Sequence, residues 1–144
     1  MRKLSEAEKA WLACLIDSEG CITISYCANT GPTRTNPQWQ VRITIANTNV
    51  KLLETFTRIT GMGNTYNTHA ERYNKNAKKS YHTQIVRKQE VCELLTEILP
   101  FLIAKKSQAR IAIRATAYAQ TNDLRMEILR QKIHALNAKR DKRR

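Results

Sequence analysis

One stretch of this chain, WLACLIDSEGCITI at residues 11–24, limits its fold more than any other. Its first half carries Leu12, Leu15 and Ile16 at helical spacing, and its second half alternates apolar and polar residues in the manner of a half-buried strand. A helix must therefore stop and a strand begin within a few residues, at Gly20. The helix ends on two acids, Asp17 and Glu19, where the backbone dipole is already negative and the last carbonyls lack partners. Something positive should lie against that end.

The remaining periodicities extend this beginning. Ser5 followed by Glu8 is a capping-box pair, so a helix is expected over residues 6–18, with Gly20 as its stop. Strands follow at 21–27, with Ile22, Ile24 and Tyr26 on one face, and at 38–46, with Trp39, Val41, Ile43 and Ile45 inward. The turn-rich segment ANTGPTRTNP joins them. Residues 50–59 read as a helix through Leu52, Leu53, Phe56 and Ile59. Two weaker strands at 64–73 and 80–86 flank the basic loop NKNAKK, and helices are expected at 90–99, 101–120 and 123–138. The order α-β-β-α-β-β-α-α-α describes an α+β domain with helices on one face of an antiparallel sheet.

At 144 residues and 42% apolar content, the chain supports one domain, set at 1–138, with a basic tail at 139–144. Lysine and arginine number 25 against 12 acids, a net charge of +13, which points to a polyanionic partner, most simply nucleic acid. No long apolar run or signal peptide is visible, so a membrane is not expected as a partner. Cys14, Cys21, Cys27 and Cys92 lack metal spacing and read as reduced, buried thiols in a reducing compartment that holds DNA, cytoplasmic or organellar. The outward residues of the second strand, Gln38, Gln40, Arg42 and Thr44, are side chains that can hydrogen-bond base edges.

The segment LACLIDSEG, residues 12–20, resembles the LAGLIDADG motif of homing endonucleases, and IANTN and LPFLIAKKSQ resemble later segments of the same family. Cys14 stands in place of a glycine and Glu19 in place of the second aspartate. The resemblance implies the αββαββα fold, a double-strand DNA cut at a long pseudo-palindromic site, and an oxygen-ligated divalent cation, Mg²⁺, held by Glu19 and the Ser18 carbonyl. Family members with one motif are homodimers, and only one copy is present here. Ala10, Cys14 and Ser18 form a stripe of small side chains suited to pairing two such helices. Lys105 resembles the family's active-site lysine, with Lys106 beside it. Asn47 resembles its water-positioning residue, Lys51 is the candidate for a further basic group, and Asp17 takes an auxiliary structural role.

The same resemblance implies a DNA-binding surface of Thr23, Ser25, Gln38, Gln40, Arg42 and Thr44, joined by Arg34, Asn64, Tyr66, Thr68, Arg72 and His82. Lys78 and Lys79 would hold phosphates. Two other functions are compatible with the fold: an intron RNA-splicing maturase and a DNA-binding regulator that does not cleave.

Overall fold

The structure, a computed structural model, describes residues 2–27, 38–68, 76, 78–118 and 124–141, with side chains to 138 in the last helix. The elements run α1 (Glu6–Glu19), β1 (Gly20–Cys27), β2 (Gln38–Asn47), α2 (Val50–Thr60), β3 (Asn64–Asn67), β4 (Tyr81–Ile85), α3 (Lys88–Ile98), α4 (Lys106–Thr116) and α5 (Leu124–Asp141). This is the expected order. The strands form one antiparallel sheet in the order β1-β2-β4-β3.

The helix-to-strand switch at Gly20 has a steric cause. A Cβ there would sit 2.7 Å from the Ile16 carbonyl oxygen and 2.9 Å from its Cα, so only glycine lets the chain turn directly from helix into strand. At the other end of α1 the capping box is complete. Ser5 Oγ accepts from the Glu8 N–H at 3.3 Å, and the Glu8 carboxylate accepts from the Ser5 N–H at 2.9 Å. Arg2 adds an ion pair to the same carboxylate.

The core lies between the helices and one sheet face. Ile22 and Ile24 of β1, Val41, Ile43 and Ile45 of β2, and Ile85 of β4 are buried against Leu12, Leu15 and Ile16 of α1 and Val91, Leu94, Leu95 and Ile98 of α3. Each fully buried aliphatic side chain contributes on the order of 1.5–3 kcal/mol. α2 adds Leu53 and Phe56, is capped by the Asn49 side chain, and ends at Gly61 in the left-handed region, φ 67°. α4 presents buried alanines 109, 112 and 115, which permit a close approach. α5 buries Met126, Leu129 and Ile133, and its Asn137 donates to the Ile22 carbonyl of the edge strand β1 at 3.1 Å.

Several expectations are corrected. The helix expected over 101–120 begins only at Lys106 and is described to Thr116. Phe101 and Leu102 donate to the Ile98 carbonyl at the end of α3, but the amides of Ile103, Ala104 and Lys105 donate to Asp17 instead of to carbonyls of an earlier turn, so no helix runs through 103–105. The thiols are not buried. Cys14 and Cys21 are exposed and Cys27 and Cys92 half-buried, because the first three lie on faces turned away from the core; all four are free. Tyr26 alternates with Ile22 and Ile24 but is 44% exposed at the end of β1, edge-on to Trp39 at 5.1 Å. α5 continues to Asp141, past the expected end at 138, since no glycine or proline interrupts it. The later part of the expected third strand, residues 69–73, lies outside the described residues, as do Arg34 and Arg72. No helix among the described residues is long and apolar enough to cross a membrane.

Candidate active site and nucleic-acid interface

The positive group required at the end of α1 is Lys105. Its Nζ donates to the Ile16 carbonyl at 2.8 Å and to the Asp17 carbonyl at 2.6 Å, and the residue is only 5% exposed. A cation on the last carbonyls of a helix satisfies acceptors that lack backbone partners and complements the dipole. Asp17 reciprocates. One carboxylate oxygen accepts from the N–H of Ile103 at 2.7 Å and Ala104 at 3.1 Å, and the other from Lys105 at 2.8 Å. The auxiliary structural role expected of Asp17 is thus a three-amide anchor for the turn that carries Lys105. Lys106 turns back to the Pro100 carbonyl at 3.3 Å, which separates the two lysines.

Glu19 closes α1 with an exposed side chain. Gly20 pairs with Ile45, so Asn47 stands at the same end of the sheet as Glu19. Asn47 Oδ1 accepts from the Asn49 N–H at 2.8 Å, a turn that leads directly into the α2 cap. Glu19, Asn47 and Lys105 are therefore gathered around one end of the β1–β2 pair. The Glu19 carboxylate and the Ser18 carbonyl are hard oxygen donors, a set that fits Mg²⁺ or Ca²⁺. Among the described residues no three His, Cys, Asp or Glu side chains cluster, so the carboxylate that Glu19 supplies is the charged donor of this set.

The outer sheet face is polar. The register places Thr23, Ser25 and Cys27 of β1, Gln38, Gln40, Arg42 and Thr44 of β2, His82 and Gln84 of β4, and Asn64 and Tyr66 of β3 on that face. Tyr66 and His82 lie ring against ring, 5.9 Å between centroids. Gln84 was missed by sequence reasoning. It sits between Thr44 and Asn64, and its alternation with His82 was the available signal. Thr68 is less available than expected, because its hydroxyl is bonded to the Ser80 carbonyl at 3.1 Å and hydroxyl at 2.6 Å. Lys78 and Lys79 are exposed, with the Lys79 ammonium 5.5 Å from the Tyr81 ring centroid. Lys51 is exposed at the start of α2. On α1, Ala10, Cys14 and Ser18 are all exposed, the face opposite Leu12, Leu15 and Ile16. Ser18 Oγ is tied back to the Cys14 carbonyl at 2.9 Å.

The αββαββα order, with a four-stranded antiparallel sheet in the order β1-β2-β4-β3, is that of the LAGLIDADG homing-endonuclease fold. Residues 12–107 match the family described as LAGLIDADG endonuclease, and the chain belongs to that family. Solved structures agree in fold. The homing endonuclease I-CvuI, in complex with the I-CreI target, is 20% identical at a TM-score of 0.71, over 91% of this chain and 82% of that one. The archaeal intron-encoded homing endonuclease I-Vdi141I, complexed with DNA, is 14% identical at a TM-score of 0.57, over 92% and 98%. The group I intron-encoded I-CeuI, complexed with DNA, is 12% identical at 0.62, over 82% and 57%. No curated protein matches the sequence.

Proposed function

We propose that this chain is a site-specific homing endonuclease that works as a homodimer, hydrolyses phosphodiester bonds in both strands of duplex DNA with Mg²⁺, and leaves short 3′ overhangs. The observation that carries this reading is the exposed Glu19 at the foot of the exposed small-residue face of α1. A two-fold axis along that face would bring two Glu19 carboxylates together beside the DNA phosphates, a set of hard oxygens that would hold a divalent cation. Held by Glu19 and the Ser18 carbonyl, a divalent cation would lower the pKa of a water and offset charge on the leaving oxygen.

The protein's own contributions follow from its contacts. Glu19 and the Ser18 carbonyl hold the cation. Asn47 Oδ1 is occupied by the Asn49 N–H, so its Nδ2 group is the end that donates to a water or phosphate oxygen. Lys105, fixed on the α1 carbonyls, sets positive charge at the root of the site and steadies the helix end that carries Glu19. The sheet lies along the major groove. β2 has 10 residues, and at a rise of ~3.3 Å each it follows roughly nine base pairs. Two sheets and a few central pairs give a site of roughly 20 base pairs.

Footprinting on duplexes selected from a random pool, with end mapping after Mg²⁺ addition, tests this. A two-fold symmetric footprint of roughly 20 base pairs with staggered cuts supports it. A footprint under about ten base pairs, or one without symmetry, contradicts the dimeric sheet-in-groove arrangement. Preferential binding of intron RNA with no DNA cut would favour a maturase, and DNA binding without cleavage a regulator.

A further inference from the structure

Gln40 and Arg42 are two residues apart on the outer face of β2, and their side chains are joined. Arg42 Nη2 donates to Gln40 Oε1 at 2.6 Å, and the Cys27 thiol donates to the same oxygen at 3.7 Å. Two donors on one oxygen fix which end of the amide faces which way. Turning the amide over would set its NH₂ group against a guanidinium, donor against donor. The Gln40 oxygen is therefore held within the sheet, and Nε2 is the end left for a ligand. Arg42 has only donors, and its Nε is buried without a hydrogen-bond partner, so its Nη groups make its outward contacts.

We infer that Gln40 and Arg42 form a donor-only reading unit that selects guanine in each half-site and rejects adenine and cytosine. This rests on the proposed DNA-endonuclease function and concerns its specificity. In the major groove guanine presents two acceptors, N7 and O6, and thymine presents O4. Adenine places an N6 amine beside its N7, and cytosine offers only an N4 amine. A glutamine with both amide ends available takes adenine bidentately, accepting from N6 and donating to N7. That contact is closed here because Oε1 already accepts from Arg42. Residues two apart on a strand are ~6.6 Å apart, about two base-pair steps, and the contact between the tips narrows this to one base pair or two neighbours.

The test is selection of bound duplexes from a randomised DNA pool, with Ca²⁺ replacing Mg²⁺ so that binding is read apart from cutting. Wild type, Gln40→Glu, Gln40→Leu and Arg42→Ala are compared, and the positions that lose preference in Arg42→Ala locate the unit. At those positions wild type should enrich guanine over adenine by roughly tenfold or more. Gln40→Glu should pair one oxygen with Arg42 and offer the other as an acceptor, moving enrichment toward cytosine. Gln40→Leu should keep the guanine preference carried by Arg42 and weaken it. Adenine enriched in wild type and lost in Gln40→Leu overturns the inference, as does a Gln40→Glu profile identical to wild type. If the wild-type protein enriches no duplex at all, the DNA-endonuclease reading falls, and this inference with it.

Discussion

Lys105 and Asp17 hold each other by backbone as well as side chain: the Lys105 ammonium donates to the Asp17 carbonyl at 2.6 Å, and the Asp17 carboxylate accepts the Lys105 amide at 2.8 Å. This clasp joins the motif helix to a turn more than 80 residues later in the chain. It accounts for an α-helix that ends on acids, because one of those acids is a cap for the turn that supplies the compensating cation. It also couples the candidate active-site lysine to the stability of the site. Asp17→Ala, which strips the acceptor from three amides, should lower unfolding free energy by roughly 2–4 kcal/mol. Lys105→Met should lower it by ~1–3 kcal/mol, and the double variant by less than the sum, since the two residues share one arrangement. Denaturant titration of the four proteins measures the coupling; simple additivity would deny the clasp.

If the proposed homodimer pairs through α1, Cys14→Leu should break it. Cys14 lies midway along the exposed stripe between Ala10 and Ser18, and a branched side chain there would separate two helices packed through small residues. Sedimentation should show a monomer or a concentration-dependent mixture. An unchanged dimer would place the interface on another surface.

Much of this was legible because the two periods are distinct. The alternation from Gln38 to Ile45 separates a buried face from a polar one, and the structure follows it residue by residue along β2. The Ser5–Glu8 box and the glycine at 20 fixed both ends of α1 from local chemistry alone. The start of α4 was not legible. Residues 101–105 have helical character in isolation, and what prevents the helix is a carboxylate from α1, a contact that no local pattern contains. The cysteines were misread for a different reason: their apolar neighbours suggested burial, yet the local period already places Cys14 opposite Leu12, Leu15 and Ile16, and Cys21 and Cys27 opposite Ile22 and Ile24. Of the site, Glu19 came from the motif, whereas Gln84 needed the pairing of β4 with both neighbours.

Lys79→Ala should weaken binding to all DNA sequences alike and reduce the slope of log affinity against log salt concentration by about one unit, as loss of a single phosphate contact does. The ammonium rests over Tyr81, so it is presented in a restrained position. Binding isotherms at several salt concentrations, on selected and random duplexes, provide the measurement. A change confined to the selected duplex would make Lys79 a base-reading residue instead.

Acid should loosen the N-terminus of α1 before the core. The Arg2 guanidinium, followed by the Ser5 amide, holds the Glu8 carboxyl at about 2 in the fold, against an ordinary value of 4.5. A carboxyl depressed in the folded state adds stability that is complete above the unfolded value. That contribution fades as pH falls from about 4.5 toward 2. Glu8→Gln should therefore flatten the fall in stability across that window. Thermal unfolding of both proteins at stepped pH gives the comparison, and identical acid limbs would remove Glu8 from the account.

The most direct measurement of the central claim is binding and cleavage by Glu19→Gln on the same selected duplex, with Mg²⁺ present. Glutamine keeps the shape of the side chain and removes the charge that holds a divalent cation, and Glu19 makes no base contact in the proposed arrangement. The account predicts affinity within a fewfold of wild type and cleavage reduced to background in both strands. Full cleavage by Glu19→Gln, or binding lost in step with cutting, would contradict it.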